Sequence, residues 1–191
     1  MENKGISLEE YKNWLKENAY KEEERAYEVA KLIVESHRTK IYTKEQLFPR
    51  KKFDGIEFDL LIILSDGNDN SRYGRRVIGI EFKEYDMRKV VQQAIVRRHF
   101  VDYMYIASRP VINLSYAEVF HMAHFGIGWI VWIDRPYLLL KAKMNYSIEI
   151  DRLLRHLISE YMEKATTEIE KVVEEKLKQT KLEGVCQLPT D

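Results

Sequence analysis

The sequence predicts an α/β fold in which a mixed β-sheet is flanked by helices and followed by a long charged helix. Residues 56–64 and 77–85 are apolar and rich in β-branched and aromatic side chains, which is typical of buried strands. From residue 87 onward, segments with helical periodicity alternate with short apolar segments, as in strands that are linked by helices. Residues 148–183 keep a helical period and are heavily charged.

The N-terminal residues are predicted to form two helices that cover the sheet. The first spans residues 8–18 and the second residues 19–37, with an apolar stripe formed by Ala19, Ala26, Val29, Ala30 and Ile33. A strand at residues 46–52 follows a polar turn and precedes the apolar strand at 56–64.

The strand at 56–64 is expected to pair with the strand at 77–85 as a hairpin. Residues 65–76 between them contain the Gly, Asn, Asp and Ser that favour turns. The remaining segments alternate, and we predict helices at 87–100 and 116–124 and strands at 103–107, 126–134 and 137–143. The early strands should therefore be antiparallel and the later ones linked by helices, with helices on both faces of the sheet.

The chain divides at residue 146 into a sheet domain, residues 1–146, and a C-terminal helical extension, residues 147–191. In the extension, apolar residues recur at spacings of 4, 3, 4 and 3, at Ile158, Met162, Ala165, Ile169 and Val172. This pattern predicts an oligomerisation arm and a homodimer. The alternative is an amphipathic helix that packs within its own chain.

Composition excludes several classes of protein. The single cysteine, Cys186, excludes an internal disulfide, a four-cysteine zinc site and a four-cysteine iron–sulfur cluster. There is no apolar run long enough for a membrane span and no secretory signal, so we expect an intracellular, cytoplasmic protein without a membrane partner. The chain has neither a Walker A nor a G-x-S-x-G sequence, and we expect no nucleotide cofactor.

Positive charge is concentrated in the middle of the chain. The 31 Lys and Arg balance the 31 Asp and Glu overall, but residues 36–110 contain 15 basic and 10 acidic residues. Three basic groups could line a DNA groove by contacting phosphates, or could be ordinary solubilising charge. They are Arg50, Lys51 and Lys52; Arg72, Arg75 and Arg76; and Arg88, Lys89, Arg97 and Arg98.

Three charged residues lie in the two strands that otherwise form the core. Asp59 belongs to the strand at 56–64, and Glu81 and Lys83 belong to the strand at 77–85. Because side chains alternate along a strand, Glu81 and Lys83 share a face, while Phe82 points into apolar packing on the other. If the strands pair through the hairpin, Asp59 comes beside Glu81.

Two adjacent carboxylates repel each other unless a cation lies between them. Oxygen ligands without cysteine or paired histidine favour Mg²⁺ or Mn²⁺, and the carbonyl oxygen of Phe82 could complete the ligands that the protein supplies. Such a metal polarises a phosphate and activates a water, and a nearby lysine can orient that water or neutralise developing charge. Asp59, Glu81 and Lys83 therefore predict phosphodiester hydrolysis.

This arrangement resembles the PD-(D/E)XK nuclease superfamily, the restriction-endonuclease-like fold of archaeal Holliday-junction resolvases and RecB-type nucleases. The matching residues are Asp59 and, 22 residues later, Glu81-Phe82-Lys83, followed by a helix that contains Gln92 and Gln93. Phe58 stands where many members have proline. The resemblance covers roughly residues 19–143 and implies that Asp59 and Glu81 bind the metal and that Lys83 assists the attacking water.

The resemblance implies two further site residues. A glutamine of the helix at 87–100 commonly faces the site, and Gln93 is preferred because it precedes Ala94, with Gln92 as the alternative. A glutamate on the first core helix also faces the site in many members. Glu23 is preferred; Glu22 and Glu24 are alternatives, and a solvated acidic helix end would explain any one of them equally well.

The sequence therefore predicts a Mg²⁺- or Mn²⁺-dependent nuclease that hydrolyses DNA phosphodiester bonds and resembles a resolvase. The alternative is a catalytically inactive nucleic-acid-binding or assembly protein that keeps the nuclease fold.

Overall fold

The computed structural model describes residues 5–67, 74–111 and 114–185 of the 191-residue chain. Residues 68–73 of the expected hairpin tip, which include Arg72, and residues 186–191 of the C-terminal extension, which include Cys186, lie outside the described residues.

A six-stranded mixed sheet forms the centre of the described structure, and its strands follow one another in chain order. The first three strands pair antiparallel, the third to fifth pair parallel, and the sixth is antiparallel to the fifth. The strands are β1 (Lys44–Phe53), β2 (Ile56–Ser65), β3 (Arg75–Lys83), β4 (Tyr103–Ser108), β5 (Gly128–Trp132) and β6 (Pro136–Leu140). The predicted mixed sheet, with a hairpin first and helix-linked strands later, is confirmed.

The described residues form five α-helices and two short 3₁₀ turns. The α-helices are α1 (Leu8–Asn18), α2 (Ala26–His37), α3 (Met87–Arg97), α4 (Tyr116–Phe125) and α5 (Glu149–Val185), and the turns are Lys21–Glu23 and Arg98–Phe100. The predicted flanking helices and the long C-terminal helix are confirmed. The predicted helix at residues 87–100 ends earlier, because its last three residues form the second turn.

The sheet separates two apolar cores. One core packs α1 and α2 against one face of the sheet, through residues such as Tyr11, Ile33, Ile80 and Phe82. The other core packs α3, part of α4 and the first turns of α5 against the opposite face, which includes Val77. Because side chains alternate along β3, Glu81 and Lys83 belong to this second face, as the sequence predicted.

The predicted second helix is wrong at its beginning. Ala19 is the C-terminal cap of α1, and α2 starts only at Ala26, after the 3₁₀ turn Lys21–Glu23. The carboxylate of Glu23 accepts a hydrogen bond from the Tyr20 amide at 2.7 Å, and such a local bond favours a separate turn over a continuous helix. The rest of the predicted stripe is buried in α2 as expected.

Helix α5 begins in the core and then leaves it. Ile150, Leu153, Leu154 and Leu157 are buried, whereas later apolar residues are 42–63% exposed, namely Ile158, Met162, Ile169 and Val172. With 37 residues, the helix is about 55 Å long at ~1.5 Å per residue. The domain division at residue 146 and the homodimer stay predictions. None of the helices in the described part of the chain is both long and apolar enough to span a membrane.

Candidate active site

The acidic residues of the predicted site meet where β2 begins and β3 ends. Leu60 of β2 pairs with Ile80 of β3, so the next position in the same register brings Asp59 beside Glu81. Asp59 Oδ2 accepts a hydrogen bond from the Phe82 amide at 2.8 Å. The sequence-based prediction that these two carboxylates lie together thus agrees with the register.

Glu81 is buried, with only 2% of its surface exposed. Burial and, secondarily, the charge of Asp59 raise the pKa of Glu81 to about 9. Arg97 Nε of α3 lies 3.0 Å from Glu81 Oε1, but its proton is donated to the backbone carbonyl of Glu57 at 2.8 Å. Glu81 Oε1 therefore has a positive neighbour and no hydrogen bond among the described residues.

The pKa of Asp59 is also raised, again mainly by burial. Burial raises the pKa of Asp59 to about 6, the hydrogen bond from the Phe82 amide opposes this shift, and the charge of Glu22 adds to it. Two adjacent acids whose pKa values are both raised favour either a proton or an added cation between them.

Lys83 ends β3, two residues after Glu81 and on the same face of the strand. Its Nζ donates a hydrogen bond to Glu22 Oε2 at 2.9 Å, and this bond raises the pKa of Lys83. Phe82, which lies between Glu81 and Lys83 in β3, is 2% exposed and packs into the core with α1 and α2. The lysine is therefore charged and adjacent to the carboxylate pair.

The three candidate glutamates before α2 occupy different positions. Glu22 binds Lys83, while Glu23 is 3% exposed and binds Arg50 at 2.7 Å. Both are close enough to Asp59 to raise its pKa. Glu24 forms an ion pair with Arg109 instead. The structure thus brings Glu22 and Glu23 to the site, with Glu22 in direct contact with Lys83.

The two candidate glutamines differ in burial. Gln92 is exposed, whereas Gln93 is half-buried and lies one turn before Arg97 on α3. Residues four apart share a helix face, so Gln93 is on the side of α3 that reaches Glu81. This placement favours Gln93, the residue preferred from the sequence.

The carboxylate pair fits a divalent cation that takes part of its ligands from outside the protein. Within residues 5–67, 74–111 and 114–185, no three His, Cys, Asp or Glu side chains form a metal-binding group. Mg²⁺ commonly uses one or two carboxylates and completes its octahedron with water and substrate phosphate. Asp59, Glu81 with its unbonded Oε1, and the Phe82 carbonyl are compatible with that mode.

Some of the basic residues expected to contact DNA are used inside the protein. Arg50 binds Glu23 and stacks on the Tyr20 ring, 3.6 Å from its centroid. Lys51 is 5% exposed and forms an ion pair with Glu160 of α5. Arg76 donates a hydrogen bond to the His37 carbonyl at 2.9 Å, and Arg97 lies against Glu81. Arg88 and Lys89 of α3 and the exposed Lys52 remain as candidates for phosphate contact.

Two contacts of the site are not predicted by the sequence. Arg97 belongs to a basic group expected on the surface, but it lies against Glu81. Glu22, an alternative to the preferred Glu23, binds Lys83 from 61 residues away. No local sequence pattern signals either contact, since both depend on how the helices approach the strand ends.

A scan against models of known protein families finds none that matches this chain, and a search of curated proteins finds no match either.

Proposed function

We propose that this protein is a divalent-metal-dependent nuclease that hydrolyses DNA phosphodiester bonds with a restriction-endonuclease-like fold. One observation carries the proposal: the half-buried Asp59 and the buried Glu81 adjoin at the ends of paired strands, with the charged Lys83 beside them. A purely structural core seldom contains adjacent acids whose pKa values are both raised.

The residues have separate roles in the proposed reaction. Asp59, Glu81 and the Phe82 carbonyl would hold Mg²⁺ or Mn²⁺, which would polarise a phosphate and lower the pKa of a water. Lys83 would orient the attacking water and offset negative charge as the water oxygen bonds to phosphorus and the bond from phosphorus to the leaving oxygen breaks. The attacking water would lose a proton to solvent, and the leaving oxygen would take one from solvent. Glu22 holds the Lys83 ammonium by the hydrogen bond at 2.9 Å, and Gln93 would face the same site.

We further propose that the protein binds DNA, forms a homodimer and is intracellular, as its DNA substrate is. A dimer formed through the exposed stripe of α5 would present two sites and thus cut two strands. The supporting observations are the 4–3 spacing and exposure of this stripe and the basic residues Arg88 and Lys89 of α3.

The test is cleavage of labelled DNA by the full chain in Mg²⁺ or Mn²⁺. The panel contains a four-way junction, a flap, a duplex and a single strand, and the wild type is compared with Asp59→Asn. We expect the wild type to cut at least one substrate, and the variant to fold but not cut. Uncut DNA with both metals, or equal cutting by the variant, would overturn the proposal.

A second function is favoured by the position of Arg97. Its guanidinium lies 3.0 Å from Glu81 and supplies positive charge where a metal would otherwise act. A chain with a permanent internal counter-charge would be a nucleic-acid-binding or assembly protein that keeps the fold without catalysis.

Metal binding by an Arg97→Ala variant separates the two functions. In the nuclease, the wild type binds Mn²⁺ despite Arg97. In the inactive protein, the wild type binds none, and only removal of the guanidinium creates a site.

A further inference from the structure

Helix α4 carries an exposed row of rings that the proposed catalytic site does not use. Tyr116, Phe120 and His124 are spaced four residues apart and are exposed. The centroids of Tyr116 and Phe120 are 6.3 Å apart at 25°, and those of Phe120 and His124 are 5.8 Å apart at 14°. Tyr116 is 83% exposed and Phe120 51%. We refer to Tyr116, Phe120 and His124 as the α4 ring row.

The segment that contains α4 has more basic than acidic residues. Residues 87–128 contain five Lys and Arg and only two Asp and Glu. Arg97 lies against Glu81 and Arg109 pairs with Glu24 and Glu84, which leaves Arg88, Lys89 and Arg98 for this surface. One of the two acids of the segment, Asp102, is 1% exposed and accepts a hydrogen bond from the Val77 amide, so it contributes little to the surface. Such an excess of cations complements a phosphate backbone.

Cations flank both ends of α4. At its start, the Ser115 hydroxyl and also Arg88 of α3 lower the pKa of Glu118, the other acid of this surface. At its end, the Arg98 side chain donates a hydrogen bond to the Phe125 carbonyl. The aromatic rings therefore lie between basic side chains, a combination that is typical of single-strand-binding grooves.

Helix α4 connects the end of β4 to the beginning of β5. Ser108, the last residue of β4, pairs with Lys83, and α4 follows it in the chain. Gly128, the first residue of β5, pairs with Tyr105 of β4. Helix α4 therefore starts after the strand end that carries Lys83.

We infer that the α4 ring row binds single-stranded DNA, with bases stacked on Tyr116 and Phe120 and phosphates held by Arg88 and Arg98. The inference rests on the proposed nuclease function and names its substrate class, DNA with a single-stranded segment beside the cleaved bond. Stacking on a side chain requires unstacked bases, which a duplex does not offer. A second copy fits this surface less well, because in a two-fold interface the same cations would face each other.

The test measures binding of a fluorescent oligothymidylate by anisotropy, in the absence of divalent metal, so that no cleavage occurs. We expect Phe120→Ala to bind about tenfold more weakly, because each base–aromatic stack contributes substantially to affinity. Phe120→Tyr keeps a ring and should stay within about twofold of the wild type. Tyr146→Ala removes a tyrosine that is 84% exposed and outside the row, and should bind as the wild type does.

Three outcomes would overturn the inference. The first is equal affinity of Phe120→Ala and the wild type for the oligothymidylate. The second is tighter binding of a duplex than of the oligothymidylate, with both affinities weakened equally by Phe120→Ala. The third is a change from dimer to monomer in Phe120→Ala by light scattering with unchanged DNA affinity, which would assign the rings to a second copy. None of these outcomes depends on Asp59 or Glu81, so failure of the nuclease proposal would be recognised separately, by absent cleavage.

Discussion

Asp59 accepts the amide proton of Phe82 across the gap between β2 and β3, with 2.8 Å between Oδ2 and the nitrogen. The aspartate thus acts on the backbone of the residue that separates Glu81 from Lys83. Through this bond, one carboxylate fixes the position of the strand end that carries the other two site residues.

The bond between Asp59 and Phe82 predicts different stabilities for two substitutions. Asp59→Asn keeps an acceptor oxygen, whereas Asp59→Ala leaves the amide without its partner. We expect Asp59→Ala to lower the free energy of unfolding by about 1–3 kcal/mol more than Asp59→Asn does. Urea unfolding measures both values, and equal losses would show that the bond contributes nothing to stability.

Glu81 predicts a dependence of stability on pH in the absence of metal. Its pKa is about 9 in the folded protein and near its ordinary 4.5 in the unfolded chain. The folded state therefore keeps a proton that the unfolded state loses, and stability falls as pH rises from 4.5 to 9. Glu81→Gln should flatten this decline in thermal unfolding, and an unchanged slope would contradict the assignment.

Lys83 is predicted to matter for cleavage far more than for stability. Its ion pair with Glu22 is partly exposed, at 24% and 31% of the two side chains, and such pairs contribute about 0–1 kcal/mol. Lys83→Ala should lose cleavage with an almost unchanged urea midpoint. Lys52→Ala, which removes a lysine that is 78% exposed, is the matched control and should still cut. Retained cleavage by Lys83→Ala would exclude the catalytic role.

The exposed apolar stripe of α5 predicts a dimer, and a single charged residue introduced into the stripe should disrupt it. Ile169 is 63% exposed in this structure, and placing an aspartate there would bury a charge at a helix contact. Ile169→Asp should become monomeric in light scattering without a change in thermal unfolding of the sheet domain. Lys171→Asp introduces the same side chain on another face and should remain dimeric. A monomeric wild type would contradict the prediction.

The sheet was largely predictable because its strands carry strong local signals. The apolar segments of β2 and β3 show their burial directly, and a turn-rich connection between them implies the antiparallel pair. That pairing was enough to bring Asp59 beside Glu81. Strand ends were less predictable: β3 starts at Arg75 and stops at Lys83, not at residues 77 and 85.

The surroundings of the carboxylates were less predictable, because they depend on tertiary contacts. The turn at Lys21–Glu23 is favoured by the hydrogen bond that the Tyr20 amide donates to Glu23. The spacing of apolar residues does not predict such a bond. The positions of Glu22 at Lys83 and of Arg97 at Glu81 follow from the packing of separate elements. Residue type and spacing therefore identified the acids and the lysine, but not the residues that bind them.

Titration of the metal-free protein with Mn²⁺, followed by the loss of the free-ion paramagnetic resonance signal, tests the central claim most directly. We expect saturable binding by the wild type and at least about tenfold weaker binding by Asp59→Asn and by Glu81→Gln. Lys52→Ala should bind as the wild type does. Absence of saturable binding, or binding that neither carboxylate substitution weakens, would contradict the claim that Asp59 and Glu81 form a metal site.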